Sequence, residues 1–215
     1  MPFFQYGRTE TDALSRKDPA LARVIETVGP IRREVVPDLY EALVNSIVGQ
    51  QISTKAQATI WGRMKAAHPR ITPALVRGLP PGGLQSFGIS RRKEEYIRDA
   101  AERILSGALD LNALAQKTDA EVCRELSALR GIGVWTAEML LLFSMQRPDV
   151  LSYSDLAIQR GLRMLYRHRA ITPKLFEKYR RRYSPYGSVA SLYLWAVAGG
   201  AVEGLSDPAP AAKRK

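Results

Sequence analysis

The nine residues Leu129-Arg130-Gly131-Ile132-Gly133-Val134-Trp135-Thr136-Ala137 set a two-glycine turn between two helical patterns. No other stretch restricts the fold as tightly. Gly131 and Gly133 admit backbone angles closed to other residues and keep side chains out of a ligand's way. The segment that follows begins a helix, whose first amide hydrogens lack partners and lie at the positive end of the dipole. Ile132, between the glycines, pins the turn to a core. Such a turn is an anion site made without a charged side chain, suited to a DNA phosphate. On its own it also serves as a plain connector. The flanking Leu129, the Thr136-Ala137 pair and the charge of the chain favour the anion site.

That charge is large. Lys and Arg number 32 against 21 Asp and Glu, a formal net charge of +11 over 215 residues. A polyanionic partner accounts for such an excess, whereas small acidic molecules do not require it. No long apolar run or basic amphipathic terminal helix points to a membrane. Met1 to Tyr6 lacks the basic-then-apolar pattern of a signal peptide. The single cysteine, Cys123, allows no internal disulfide and no four-cysteine iron–sulfur or zinc cluster. These features predict a reducing cytoplasmic setting, with Cys123 as a small packing residue on a helix.

Helix signals dominate the rest. Asp38 with Glu41 resembles a capping box ahead of Leu39, Ala42, Leu43, Ser46 and Ile47 at helical spacing. Ser53-Thr54 opens a helix through Trp61 and Met64, Ser90 opens one ended by Gly107, and Thr118 with Glu121 forms a second box. Thr72-Pro73 and Thr172-Pro173 each pair a cap with proline at the first helical position. Further helices are predicted over 134–145 and at about 155–167, 173–182 and 187–199. No alternating strand pattern and no repeat is evident, so the predicted fold is all-α. The first dozen residues read as loosely held. Asp207 to Lys215 reads as a disordered basic tail adding weak DNA affinity.

Asp155, in Leu151-Ser-Tyr-Ser-Asp-Leu-Ala-Ile-Gln-Arg160, has two readings. Locally it, or Ser154, is a helix cap. Functionally it is a carboxylate facing the phosphate backbone that the glycine turn grips. An acid against DNA is unfavourable unless it has a task, and stabilising positive charge developing on deoxyribose is such a task.

Three stretches in order carry a resemblance: Asn45-Ser-Ile-Val-Gly-Gln-Gln-Ile-Ser53, the turn at 129–137, and Ser154-Asp155-Leu-Ala-Ile-Gln-Arg-Gly161. Together they resemble helix-hairpin-helix (HhH-GPD) DNA glycosylases, in particular the AlkA-type 3-methyladenine DNA glycosylase II branch, from about Tyr40 to Trp195. The hairpin alone would also fit DNA polymerases, ligases or nucleases.

The resemblance implies a two-lobed helical fold with a DNA-binding cleft between the lobes, without the β-rich N-terminal domain of AlkA. Residues 37–150 would form the lobe with the wedge and hairpin. Residues 151–205 would form the second lobe, with 1–36 packed on it, and 206–215 the tail. Asp155 takes the place of the family's catalytic aspartate. It would stabilise an oxocarbenium-like sugar and orient or deprotonate the attacking water. Lyase members carry a Schiff-base lysine two residues after the second hairpin glycine. Here that residue is Trp135, which predicts a monofunctional enzyme. Trp135 and Trp195 fall where AlkA-type enzymes place pocket tryptophans, able to stack on an electron-poor alkylated base; both also fit core patterns. Met139 stands where that pattern has an aromatic, and Tyr153 offers a further ring. Gln50 and Gln51 lie where a side chain fills the gap left by the flipped nucleotide, and a polar helix end is the alternative. Gly131, Ile132, Gly133 and Thr136 would hold the phosphate. The main-chain carbonyls of Ser127, Leu129 and Ile132 would hold a monovalent cation. No other cofactor is implied. Arg91-Arg92-Lys93 and Arg180-Arg181-Arg182 read as solvated helix faces, with phosphate contact as the alternative.

The implied activity is excision of 3-methyladenine- and 7-methylguanine-type bases from double-stranded DNA, by a monomer, at the bacterial nucleoid. Two alternatives stand: a glycosylase for 1-methyladenine, deaminated or oxidised bases, and a helix-hairpin-helix module that binds DNA without chemistry.

Overall fold

A computed structural model describes residues 2–209. Among them run eleven α-helices: α1 (Arg8–Lys17), α2 (Pro19–Val28), α3 (Leu39–Gly49), α4 (Thr54–Ala67), α5 (Pro73–Gly78), α6 (Arg91–Leu105), α7 (Asp119–Ser127), α8 (Val134–Phe143), α9 (Leu156–Tyr166), α10 (Pro173–Tyr183) and α11 (Gly187–Ala198). The fold is all-α, as the sequence predicts. Among the described residues β pairing is limited to one isolated bridge between Phe3 and Glu34. No described helix is long and apolar enough to cross a membrane.

Local chemistry starts most of these helices. Ser53, Thr72, Ser90 and Thr172 each accept a first-turn amide, and Thr118 with Glu121 closes a full capping box. Asp38 caps α3 at the Glu41 amide, 2.9 Å away. The predicted reciprocal half of that box does not form. Glu41 instead accepts from Lys65 Nζ at 2.6 Å and the Ile71 amide at 2.8 Å.

The chain divides into two compact units. One is built on Val35–Met145, the other on Phe3–Glu34 with the chain from Gln146 onward. In the first, α3 packs against α4, α6 and α8, and α7 packs on α8. Leu43, Val44, Ile47, Ile97, Leu126 and Leu142 fill its core. In the second, α11 lies against α9 and α2, around Leu14, Leu21, Ile158, Leu162, Tyr193 and Leu194.

The second unit corrects two expectations. The first dozen residues are held: Phe4 is buried, its amide donates to the Arg33 carbonyl at 2.8 Å, and α1 starts at Arg8. Asp207, expected in a disordered tail, accepts two hydrogen bonds from Arg163 at 2.6 and 2.9 Å. The remainder of that tail, from 210, lies outside the described residues. Arg180 and Arg181 pair with Glu177 on the helix surface, but Arg182 turns inward to Asp18. The buried Asp18 caps α2 through Oδ1. Its Oδ2 accepts from Tyr166 and Arg182, each at 2.7 Å. Burial pushes the Asp18 pKa up, but these donors and the Leu21 amide outweigh it and hold the group below its ordinary value.

Candidate active site

In the second unit the site grows from a helix crossing. Gly161 sits where α9 meets α11: a β-carbon there would come within 3.0 Å of the Leu194 carbonyl carbon and closer still to its oxygen. Only a residue without a side chain permits that approach. The crossing brings the N-cap of α9 to the residue after Leu194. Asp155 Oδ1 accepts from the amides of Ala157 at 2.8 Å and Ile158 at 2.9 Å. Its Oδ2 accepts from Trp195 Nε1 at 3.2 Å. Three donors thus fix the plane of a carboxylate that is 7% exposed. The cap and functional readings of Asp155 are compatible, because they use different oxygens. Tyr153, just ahead, is exposed yet held: its ring meets Phe176 edge-on at 5.2 Å and its hydroxyl donates to the Ile171 carbonyl.

In the first unit the hairpin joins α7 to α8. Gly131 has φ +82°, a left-handed conformation that favours glycine. Gly133 differs from expectation: it is ordinary extended backbone at φ −91°. Its use is spatial, since nothing lies within 4 Å of where a β-carbon would be. It leaves the start of α8 open to a ligand. Ile132 is buried and pins the turn, and Thr136 is buried as well, so its amide, not its side chain, belongs to the open first turn. Trp135 is 48% exposed on that turn, which removes the core reading for it. Met139 follows one turn later and is half-buried. Cys123 does not offer a nucleophile: burial and the charges of Glu138 and Asp119 push its thiol up to about 11.

Residues 44–185 match the family profile described as HhH-GPD superfamily base excision DNA repair protein. The chain belongs to that superfamily. It is 37% identical to a Bacillus halodurans DNA-3-methyladenine glycosidase of known crystal structure, with a TM-score of 0.82 and 93% of each chain covered. It is 32% identical over 190 residues to the Schizosaccharomyces pombe DNA-3-methyladenine glycosylase 1, spanning 85% of this chain and 83% of that protein. A solved S. pombe 3-methyladenine DNA glycosylase in complex with abasic DNA matches at 30% identity and TM-score 0.75, over 87% of this chain and 95% of that one.

Within this HhH-GPD chain the loop after α3 is held from two sides. Gln50 Nε2 donates to the Gly131 carbonyl at 2.8 Å, so this side chain turns back onto the hairpin. Lys93 Nζ donates to the carbonyls of Val48 at 2.8 Å and Gln50 at 2.6 Å. Lys93 is therefore no part of a solvated face, and burial lowers its pKa. Gln51 is exposed, with φ +57°. Sequence reasoning overlooked Lys93, and it overlooked exposed apolar side chains within the motifs it had found. The large apolar residues most exposed among those described are Ile52, Val134, Trp135, Tyr153 and Leu156, the last at 78%. Ile52 lies in the loop after α3, Val134 and Trp135 in the hairpin, Tyr153 just before α9, and Leu156 is the first residue of α9.

Proposed function

We propose that this protein is a monofunctional DNA glycosylase that removes alkylated bases of the 3-methyladenine and 7-methylguanine type from double-stranded DNA. It hydrolyses the N-glycosidic bond and leaves an abasic site. The observation that carries the reading is the Asp155 carboxylate, held by the Ala157 and Ile158 amides and the Trp195 indole. A binding module gains nothing from an acid fixed so firmly beside a polyanion. As the bond to the base lengthens, positive charge gathers on the sugar, and a pre-oriented carboxylate stabilises it without reorganising. The same group orients the attacking water and takes its proton. An alkylated purine is already cationic and leaves without an acid. Trp135 occupies the position at which lyase relatives carry their lysine, so no amine is at hand there for a Schiff base. Trp135, exposed in the hairpin, and Trp195 offer aromatic faces suited to a flipped, electron-poor base, and Met139 and Tyr153 are further candidates to contact it. Gln51 is the polar wedge. The protein acts as a monomer on chromosomal DNA in the cytoplasm.

A monovalent cation at the hairpin belongs to the same proposal. Ser127 Oγ is buried without a hydrogen-bond partner among the described residues. No cluster of His, Cys, Asp or Glu suited to a metal occurs among them either. A set of neutral oxygens suits a hard monovalent ion. The carbonyls of Ser127, Leu129 and Ile132 would hold it, supplying positive charge beside a DNA phosphate.

The test is base release from duplexes that carry one defined lesion, scored by alkaline cleavage of the abasic site. Asparagine still caps a helix, so Asp155→Asn should fold and bind DNA normally while base release falls at least a hundredfold. Near-parental release by this variant would refute the catalytic assignment. A complex trapped by borohydride would refute the monofunctional one. Release confined to 1-methyladenine, deaminated or oxidised bases would move the substrate class.

A further inference from the structure

The glycine turn is buttressed by a side chain that the proposed function does not use. A β-carbon at Gly131 would come within 2.6 Å of Tyr96 Cε2 and nearer still to Cδ2, so the tyrosine ring of α6 lies against the turn. Two guanidinium groups converge on that ring. Arg92 sits 5.5 Å and Arg130 5.6 Å from its centroid, and Arg92 Nε donates to the Tyr96 hydroxyl. The two cations are thus within about 11 Å of each other, close to one Debye length at 0.1 M salt. Neighbouring arginines on α6 have carboxylate partners: Arg91 pairs with Glu95 and Arg98 with Glu94. Among the described residues no ion pair neutralises Arg92 or Arg130. Two like charges gathered on one aromatic platform, beside a helix start that already favours anions, lack their counter-ion. Arginine suits an oxyanion through its planar fork of donors, and Arg92 gives only its Nε to the tyrosine, which leaves its terminal nitrogens for a ligand.

We infer that Tyr96, Arg92 and Arg130 form a second phosphate site, which takes the DNA backbone phosphate flanking the one held by the 129–137 turn. Tyr96 is its platform, and the two guanidiniums donate to the phosphate oxygens. The inference rests on the reading of this chain as a DNA-acting protein and adds contacts from α6, Tyr96 and Arg92, that the hairpin motif by itself does not contain.

The slope of binding affinity against salt concentration tests it, using a labelled duplex with one abasic-site analogue. Each phosphate contact contributes about 0.9 to the slope of log K against log salt. Arg92→Gln with Arg130→Gln should lower the magnitude of that slope by about 0.9. Tyr96→Leu keeps both charges but removes the platform and should lower it similarly, whereas Tyr96→Phe keeps the ring and the slope. Arg91→Gln is the control: this side chain is 85% exposed and paired with Glu95, and its loss should leave the slope unchanged. A parental slope in the double variant, with unchanged melting temperature, would overturn the site. So would an equal drop in Arg91→Gln, which would mean that any basic charge on α6 suffices. Base release is measured in parallel. If the parent frees no base from any lesion while the double variant still loses slope, the glycosylase reading fails and the phosphate site stands.

Discussion

Replacing Gly161 by alanine asks whether the α9–α11 crossing is what holds the Asp155 carboxylate. In an unhindered helix interior alanine is better than glycine by about 1 kcal/mol. At Gly161 the new methyl would lie 3.0 Å from the Leu194 carbonyl carbon and closer to its oxygen. Carbon atoms normally rest about 3.5–4.0 Å apart. The obstacle is main chain, so no side chain can swing aside, and the two helices must part by about 0.5–1 Å. Overpacking of this kind costs about 1–3 kcal/mol. After the gain in propensity the net loss is up to about 2 kcal/mol. At about 2–4 °C per kcal/mol for a chain of this size, melting falls by as much as about 8 °C. The loss of activity should be larger than the loss of stability. Asp155 heads α9 and Trp195 follows Leu194 on α11, so parting the helices stretches their 3.2 Å bond and turns the carboxylate. A displacement near 1 Å at a reacting group costs about a hundredfold in rate. Single-turnover base release with enzyme in excess, alongside thermal melting, reads both effects. Gly62→Ala on α4 is the matched control. Nothing lies within 4 Å of its β-carbon position, so it should gain about 0.5–1 kcal/mol and release base at the parental rate. If Gly161→Ala melts no lower than the parent and releases base as fast, the crossing does not position Asp155 and the account is wrong.

Three further outcomes are expected. Asp18 has its folded-state pKa below the ordinary 3.8, so its ionised form stabilises the fold above that pH and the contribution disappears as pH falls through the lowered value. Asp18→Asn should therefore destabilise by about 1–3 kcal/mol at neutral pH and flatten the loss of stability below pH 4; a parental acid profile would contradict this. Lys93→Met removes the donor to the Val48 and Gln50 carbonyls. Hydrogen exchange should speed up across Gly49–Ser53 while the α9–α11 region keeps its protection, and uniform change in both regions would count against a local role. Gln51→Gly relieves a left-handed residue at φ +57° and should stabilise the fold by about 1 kcal/mol. As loss of a wedge it should also slow base release from fully paired duplexes more than from mismatched ones. Equal slowing on both would remove Gln51 as the wedge.

How far the sequence could be read depended on the range of each interaction. Helices begun by Ser53, Thr72, Ser90, Thr118 and Thr172 were legible because a cap and its amide lie two or three residues apart. The order of α1 was not, because Gly7 offers no side chain of its own as a cap, Glu10 alone accepting the Gly7 amide, and the segment before it is tied down by Phe4 bonding to the distant Arg33 carbonyl. Lys93 and Arg92 adjoin in a basic run that looks uniform as text. One reaches the Gln50 carbonyl after α3 and the other donates to the Tyr96 hydroxyl, a separation that only tertiary contacts make. Gly133 was misjudged for a related reason: both hairpin glycines look alike in the motif, but one supplies a backbone angle and the other supplies room.

Asp155 shows the limit most clearly. From spacing alone, a cap and a catalytic acid are competing explanations for one residue, and the cap is the commoner. The geometry lets one residue carry both, since the cap uses one carboxylate oxygen and leaves the other to Trp195. Binding Oδ1 to two amides of α9 removes the rotational freedom that would otherwise be lost at each turnover, and it turns Oδ2 toward the indole of a residue 40 positions away. A cap whose second oxygen pointed to bulk water would be structural and nothing more. The partner that distinguishes the two cases comes from α11, and it is within reach because position 161 has no side chain. The sequence feature that most nearly announces the Asp155–Trp195 bond is therefore the glycine six residues after Asp155.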